Sequence, residues 1–158
     1  TLPNPEEILR VLGLTVNNLE PGLPIQIAST GFPALLVPIN SLRAMQRIIL
    51  NLSLLKVLLE EAEVDMIYPF TRQTLDQKSS VHARGFAPFV GIPEDPATGS
   101  VAGALGYYLK DKNPKEENLI IEQGYEMKRP SHIFVKMDGT KIKVGGKTRM
   151  VFKASLYL

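Results

Sequence analysis

The stretch that decides the fold is Thr98-Gly-Ser-Val-Ala-Gly-Ala-Leu-Gly-Tyr-Tyr-Leu-Lys-Asp-Lys112. From Thr98 to Leu109 it carries no charged side chain, and much of it is small: Gly99, Ser100, Ala102, Gly103, Ala104 and Gly106. A helix that is apolar all round has no face to give to water and belongs in an interior. Each interior glycine costs about 1 kcal/mol relative to alanine, so three of them point to backbone packed close against a neighbour. Charge returns only at Lys110-Asp111-Lys112. The pattern predicts a central buried helix over about 98–112, surrounded by sheet.

Working outward, the C-terminal side reads as antiparallel sheet. Asn118–Gln123 is a strand by composition. Ile133–Met137 and Lys141–Val144 flank Asp138-Gly139, a strong two-residue hairpin signal. Gly145-Gly146 turns the chain, and Arg149–Leu158 reads as a last strand. On the N-terminal side, Asn4 caps a helix that begins with Pro5, and Glu6-Glu7 suit the positive end of its dipole. Ile8, Leu9, Val11 and Leu12 form its apolar face and Gly13 ends it. Residues 14–24 read as a loop, so 1–24 form an entry helix and linker. The apolar runs Ile25–Thr30 and Ala34–Ile39 read as strands, with Pro33 and Pro38 arguing for edges or bulges. Ser41 caps a helix through about Leu50, and Leu52–Glu61 reads as another. Val64–Phe70 is a strand closed by Pro69, residues 71–80 a loop, and Val81–Phe89 a strand. The sum is an α+β chain.

The 158 residues are 44% hydrophobic and 22% charged, the composition of one ordinary globular domain. That excludes a disordered or collagen-like chain. No uncharged apolar run approaches the length of a membrane-spanning helix. The N-terminus shows no basic region followed by an apolar stretch, the mark of a signal peptide, and its start at Thr1 rather than Met favours a cut or processed chain. There is no cysteine, which excludes disulfides, thiolate metal sites and cysteine acid–base pairs and is compatible with the cytoplasm. With two histidines, His82 and His132, a histidine-rich metal centre is not expected, and both read as strand residues rather than bases. The net charge of +2 hides an asymmetry: Lys128 to Lys153 holds eight basic residues with Asp138 the only acid. These alternate with apolar residues, as in Lys141-Ile142-Lys143-Val144, and read as the solvated face of strands rather than a nucleic-acid surface.

Chemistry concentrates just ahead of the central helix, in Gly91-Ile-Pro-Glu94-Asp95-Pro-Ala-Thr98-Gly99-Ser100. The first N–H groups of a helix lack internal partners and sit at its positive end. Glycine there lets a ligand approach the backbone, and Ser100 adds a hydroxyl, so the place suits a carboxylate or phosphate. The same residues also suit a plain cap by Asp95 or Thr98 with nothing bound. No Gly-Lys-Ser/Thr follows, so this is not a nucleotide P-loop.

The string Arg84-x-Phe86-Ala-Pro88…Gly91-Ile-Pro-Glu94-Asp95-Pro-Ala-Thr-Gly-Ser100 closely resembles the phenazine-biosynthesis PhzF-like family. Ser29-Thr30-Gly31, Leu35-Leu36-Val37-Pro38, Glu122-Gln123-Gly124, Arg129-Pro130-Ser131 and Val144-Gly145-Gly146 add to the resemblance, which covers nearly the whole chain. It implies a diaminopimelate-epimerase-like fold, with two similar lobes, each a mostly antiparallel or mixed sheet wrapped round a central helix, and the site in the cleft between them. It implies isomerisation of a small carboxylic acid by proton transfer, without metal or organic cofactor. Such enzymes are about twice this length, and the chain aligns with their C-terminal lobe, 1–158 being that single lobe. The glutamate of the first lobe, their principal acid–base residue, has no counterpart here.

Carried over residue by residue, the resemblance makes Asp95 the catalytic, substrate-contacting carboxylate. Thr98, Gly99 and Ser100 bind the substrate carboxylate, and Arg84, Phe86, Pro88 and Glu94 form the supporting loop. The expected partners are the small carboxylate, and either the missing N-terminal lobe or a second copy in a homodimer, with no nucleic acid and no membrane. The lone lobe is expected to be inactive by itself. The competing expectation is a non-catalytic single lobe that binds a small carboxylate. Val151–Leu158 is expected to be orphaned or swapped if the last strand belongs with the other lobe.

Overall fold

The computed structural model describes residues 2–156. The elements run α1 (Pro5–Val11), β1 (Gln26–Ala28), β2 (Ala34–Pro38), α2 (Leu42–Gln46), α3 (Leu52–Ala62), β3 (Met66–Thr71), β4 (Val81–Ala83), β5 (Gly85–Ala87), β6 (Ile92–Asp95), α4 (Gly99–Lys112), β7 (Asn118–Gln123), β8 (Ser131–Asp138) and β9 (Lys141–Gly145). The strands form one nine-stranded sheet in the order β1-β2-β3-β4-β7-β8-β9, with β5 pairing β3 and β6. Pairing is mostly antiparallel, but β2·β3 and β4·β7 are parallel. The chain is thus an α+β fold with a mixed sheet, as its sequence implies.

The sheet buries both faces in its first half. Along β2, Leu35 and Val37 enter the core beneath α1, α2 and α3, while Ala34 and Leu36 enter the core that contains α4. In β3, Ile67 joins the first core, and Met66, Tyr68 and Phe70 the second. Burial on both sides explains why these strands read as unbroken apolar runs rather than alternating ones. In β8 alternation returns: Ile133, Val135 and Met137 are buried, while Phe134, Lys136 and Asp138 are exposed.

Helix α4 lies against β8, β9 and β1. A Cβ on Gly106 would come 2.7 Å from Val135 Cγ1, and one on Gly103 would come 3.2 Å from Val144 Cγ2. Close packing against stiff β-branched side chains is therefore the reason for these two glycines. The remaining helices each have a side-chain cap: Asn4 accepts from Glu6 N–H, Ser41 from Ala44 N–H and Asn51 from Leu54 N–H.

Several expectations are corrected. Strand β2 is interior, although Pro33 and Pro38 suggested an edge: Pro33 lies outside the strand and Pro38 ends it, where a missing N–H costs no ladder bond. Pro69 does not close β3 but lies within it. The chain opposite it changes there from β4 to β5, and the Pro69 carbonyl still accepts from Arg84 N–H at 3.0 Å. Val81–Phe89 is not one strand but β4, β5 and a 3-10 turn at Pro88–Val90. Strand β6 falls in a stretch read as loop. The helix after Ser41 stops at Gln46 rather than near Leu50. The β8–β9 turn is Gly139-Thr140, since Asp138 pairs with Lys141. No strand forms over 149–156, and Tyr157 and Leu158 of the expected last strand lie outside the described residues.

Candidate active site

The β5–β6 hairpin presents Glu94 and Asp95 at the entry to α4, with Gly85 opposite Asp95. Arg84, 8% exposed, grips Glu94 through Nε and Nη2 at 2.8 and 2.9 Å, and its Nη1 donates to the Met45 carbonyl at 3.0 Å. The Phe86 ring lies under the guanidinium, 4.9 Å away, and Pro88 opens the 3-10 turn that reverses the chain. Arg84, Phe86, Pro88 and Glu94 thus all belong to the frame of the loop. Glu94 is held in that frame rather than free in a solvated turn.

Asp95 sits next in the chain, half-buried. Its Oδ1 accepts from Ala97 N–H at 3.2 Å and its Oδ2 from the Thr98 hydroxyl at 2.8 Å. Thr98 stands at the N-cap position but makes no side-chain cap bond. It is 6% exposed, its N–H donates to Gln123 Oε1 at 3.2 Å, and its hydroxyl also accepts from Gln123 Nε2 at 2.9 Å. Thr98 therefore braces the loop, with both of its donors engaged. The first-turn amides that follow, of Gly99, Ser100 and Val101, have neither intrahelical partners nor a side-chain cap. Ser100 is exposed, and its carbonyl accepts from the Thr30 hydroxyl at 2.8 Å.

Gly99 differs from Gly103 and Gly106. A Cβ there would meet only Val144 Cγ1, at an ordinary 3.8 Å. Packing does not demand glycine at this position. It borders an open cleft of about 510 Å³, lined also by Ala97, Ser131, His132, Val144 and Lys147. A helix N-terminus, a hydroxyl and a nearby lysine make a setting that favours an anion.

Two groups escaped the reading of site residues. The first is Gln123, quoted only as part of a family string. Its signal was present: in β7 the core-facing positions are Leu119, Ile121 and Gln123, so an amide stands where an apolar residue is expected. The second is an ionic cluster on the other face of the sheet. His82 is fully buried, with Nδ1 2.7 Å from Glu122 and Nε2 3.0 Å from Glu126. Glu122 in turn accepts from the N–H groups of Leu75 and Asp76 at 2.6 and 2.9 Å, tying down the 72–80 loop. Burial opposes the imidazolium, yet the hydrogen bonds and charges of Glu126 and Glu122 outweigh it and raise the His82 pKa. His82 is a strand residue, as expected, and the register of the sheet accounts for its partners: Glu122 is directly opposite it. His132 lies 3.1 Å from Asp76.

Among the described residues no helix is long and apolar enough to cross a membrane, and no three His, Asp or Glu side chains converge as metal ligands would.

The chain is 32% identical over 143 residues to the uncharacterized isomerase YfhB of Bacillus subtilis, covering 88% of this chain and 49% of that protein. It is 32% identical over 163 residues to an uncharacterized isomerase of Clostridium acetobutylicum, covering 97% and 54%. Among solved structures, a PhzF-family phenazine biosynthesis protein of Bacillus anthracis superposes with a TM-score of 0.74 at 32% identity, covering 88% of this chain and 50% of that one. A predicted epimerase of Pseudomonas aeruginosa superposes with a TM-score of 0.77 at 26% identity, covering 99% and 54%. The chain spans about half the length of the curated relatives it matches. The sequence model of the phenazine biosynthesis-like proteins matches residues 2–154, nearly the whole chain. With the buried α4, the mixed sheet around it and the Glu94–Ser100 entry loop all in place, this match makes the chain a member of the phenazine biosynthesis-like protein family, whose relatives here are named as isomerases.

Proposed function

We propose that this chain is the carboxylate-binding lobe of an isomerase that moves a proton on a small carboxylic acid without metal or organic cofactor. The observation that carries the reading is the bare start of α4. It has threonine at its N-cap and no side-chain cap, while Gly99 is not required by packing. In this reading the amides of Gly99 and Ser100, with the Ser100 hydroxyl, hold the substrate carboxylate, and Thr98 frames the site. Fixing the carboxylate orients the rest of the molecule, which supplies part of the entropy a proton transfer needs. Asp95 is the carboxylate that contacts the substrate and handles the proton. The principal base comes from a second half of similar size, the N-terminal lobe of a longer protein or a partner copy in a homodimer. The chain alone is then without significant turnover, and the setting is cytoplasmic.

One observation favours a second reading. Both Asp95 oxygens already accept hydrogen bonds within their own loop. A carboxylate so engaged suits a lobe that binds a small carboxylate without chemistry.

The test is an amide-resolved NMR titration of the 158-residue chain with acetate, using acetamide as the neutral control. Saturable shifts of Gly99, Ser100 and Val101 with acetate alone are expected. Their absence would remove both readings. Adding the separately expressed N-terminal half of a relative should then allow deuterium to exchange into a bound small acid. Exchange that stays absent with the amide site intact would leave the binding reading.

A further inference from the structure

We propose that Gln123 is the positioning residue of this site: its side-chain amide sets the direction of the Thr98–Asp95 hydrogen bond and so decides which way Thr98 and Asp95 face. The inference rests on the reading of the α4 entry as the carboxylate site and deepens it.

The geometry is closed. Gln123 is fully buried. Its Nε2 donates to the Asp95 carbonyl at 2.6 Å and to the Thr98 hydroxyl at 2.9 Å. Its Oε1 accepts from Thr98 N–H at 3.2 Å and from the Tyr68 hydroxyl at 2.8 Å. That uses both donors and both acceptor positions of a primary amide. Two of the partners leave no choice of orientation. A backbone N–H can only donate and a backbone carbonyl can only accept, so the amide cannot be flipped.

A polarity follows. Because Nε2 can only donate to Thr98 Oγ1, the hydrogen of that hydroxyl must point elsewhere, and Asp95 Oδ2 lies 2.8 Å away to receive it. The Thr98 oxygen, turned to Gln123, is thereby drawn away from the first-turn amides it would cap in most helices. The other three helices all have such a cap. One buried amide thus holds Asp95 in place and keeps the α4 entry open. The strand supplies the fixed platform, since Gln123 pairs with both Ala83 and Ser131. The next residue, Gly124, has φ +80° and lies so near the Arg129 carbonyl and Pro96 that no side chain fits.

The polarity makes a test that a merely structural role would not satisfy. In Gln123→Glu, an ionised carboxylate can still accept from Thr98 N–H and Tyr68, but it faces the Asp95 carbonyl with no proton to give. It also draws the Thr98 hydrogen away from Asp95. Protonation restores a donor. Acetate affinity, read from the Gly99, Ser100 and Val101 amides, is expected to be about tenfold or more weaker than in the parent chain at pH 8, on the scale of one hydrogen bond to a charged group, and to recover towards pH 5. The isosteric Gln123→Met should show the same loss at both pH values, without recovery. The amide of Gly106, remote from the loop, reports that each variant is folded.

If the parent chain binds no acetate, the site reading fails first. If it binds, and either variant matches it at pH 8, or Gln123→Glu fails to recover at low pH, Gln123 does not position the site. A failure of both variants to fold would also overturn the proposal, because Gln123 would then be a core brace and nothing more.

Discussion

Gly106 and Gly99 are the same residue in the same helix, and they answer to different constraints. Only 2.7 Å separates a Cβ at 106 from Val135 Cγ1, and valine has one comfortable rotamer to give up. Gly106→Ala is therefore expected to lower stability by about 1–3 kcal/mol, measured by urea denaturation, despite alanine's better helix propensity. Gly99→Ala has ordinary room and gains that propensity. It should leave stability equal or improved while weakening acetate binding, and a Gly99→Ala chain that bound acetate as well as its parent would show that the ligand does not approach there. Arg84 answers to a third constraint. It is buried and holds Glu94 in a two-pronged grip, so Arg84→Met would leave a half-buried carboxylate without its cation. The expected loss is about 3 kcal/mol by the same measurement, with the Asp95 loop losing its frame.

At the scale of elements, the β4·β7 pairing and the 72–80 loop are joined through one cluster of three ionisable groups. His82 bridges Glu122 and Glu126, and Glu122 holds the loop by two amides. Tyr125 packs beside the imidazole, and Arg84 lies 3.9 Å from Glu126. The folded pKa of His82 is raised above its ordinary 6.5, so between the two values the folded chain binds more protons than the unfolded one. The stability contributed by His82 is then complete below about pH 6.5 and falls as pH rises through the raised value. Glu126 works in the opposite window. Burial pushes its pKa up, but the His82 hydrogen bond and charge prevail and lower it, so its share is lost only as pH falls through that depressed value. Thermal melts are expected to show a midpoint that declines from pH 6 to pH 9, and His82→Gln should flatten that slope. An unchanged slope in the variant would assign it to other groups.

At the scale of the whole molecule, apolar surface remains unspent at the C-terminal end. Met150, Val151, Phe152 and Leu156 are 79–85% exposed and lie in no strand. Side chains of this kind seek a cover. Sedimentation of the chain at tens of micromolar is expected to show self-association that Val151→Lys with Phe152→Lys abolishes. A strictly monomeric parent chain would remove the homodimer from the proposal and leave the second half of a longer protein as the partner.

The sequence by itself determined the buried helix, its start at the Glu94–Ser100 loop, the flanking strands β7, β8 and β9, and the family. These are local matters: an uncharged small-residue stretch has one place to go, and an unusual string such as Glu94-Asp95-Pro-Ala-Thr-Gly-Ser100 identifies itself. Only the tertiary structure decided what depends on partners distant in the chain. Pro38 read as an edge or bulge signal and Pro69 as the close of its strand, because a missing N–H is judged against an unknown neighbour. The fold placed Pro38 at the end of the interior strand β2 and Pro69 within β3, where its carbonyl still accepts from Arg84 N–H. Gln123 read as part of a motif, but its four hydrogen bonds join β3, β7 and the loop before α4 across as many as 55 positions of sequence. His82 and Glu122 lie 40 residues apart and meet through the parallel register of β4 and β7. Hydrophobic pattern acts over a few residues and can be read along the chain, whereas hydrogen-bond direction and charge pairing are settled only once strands are in register.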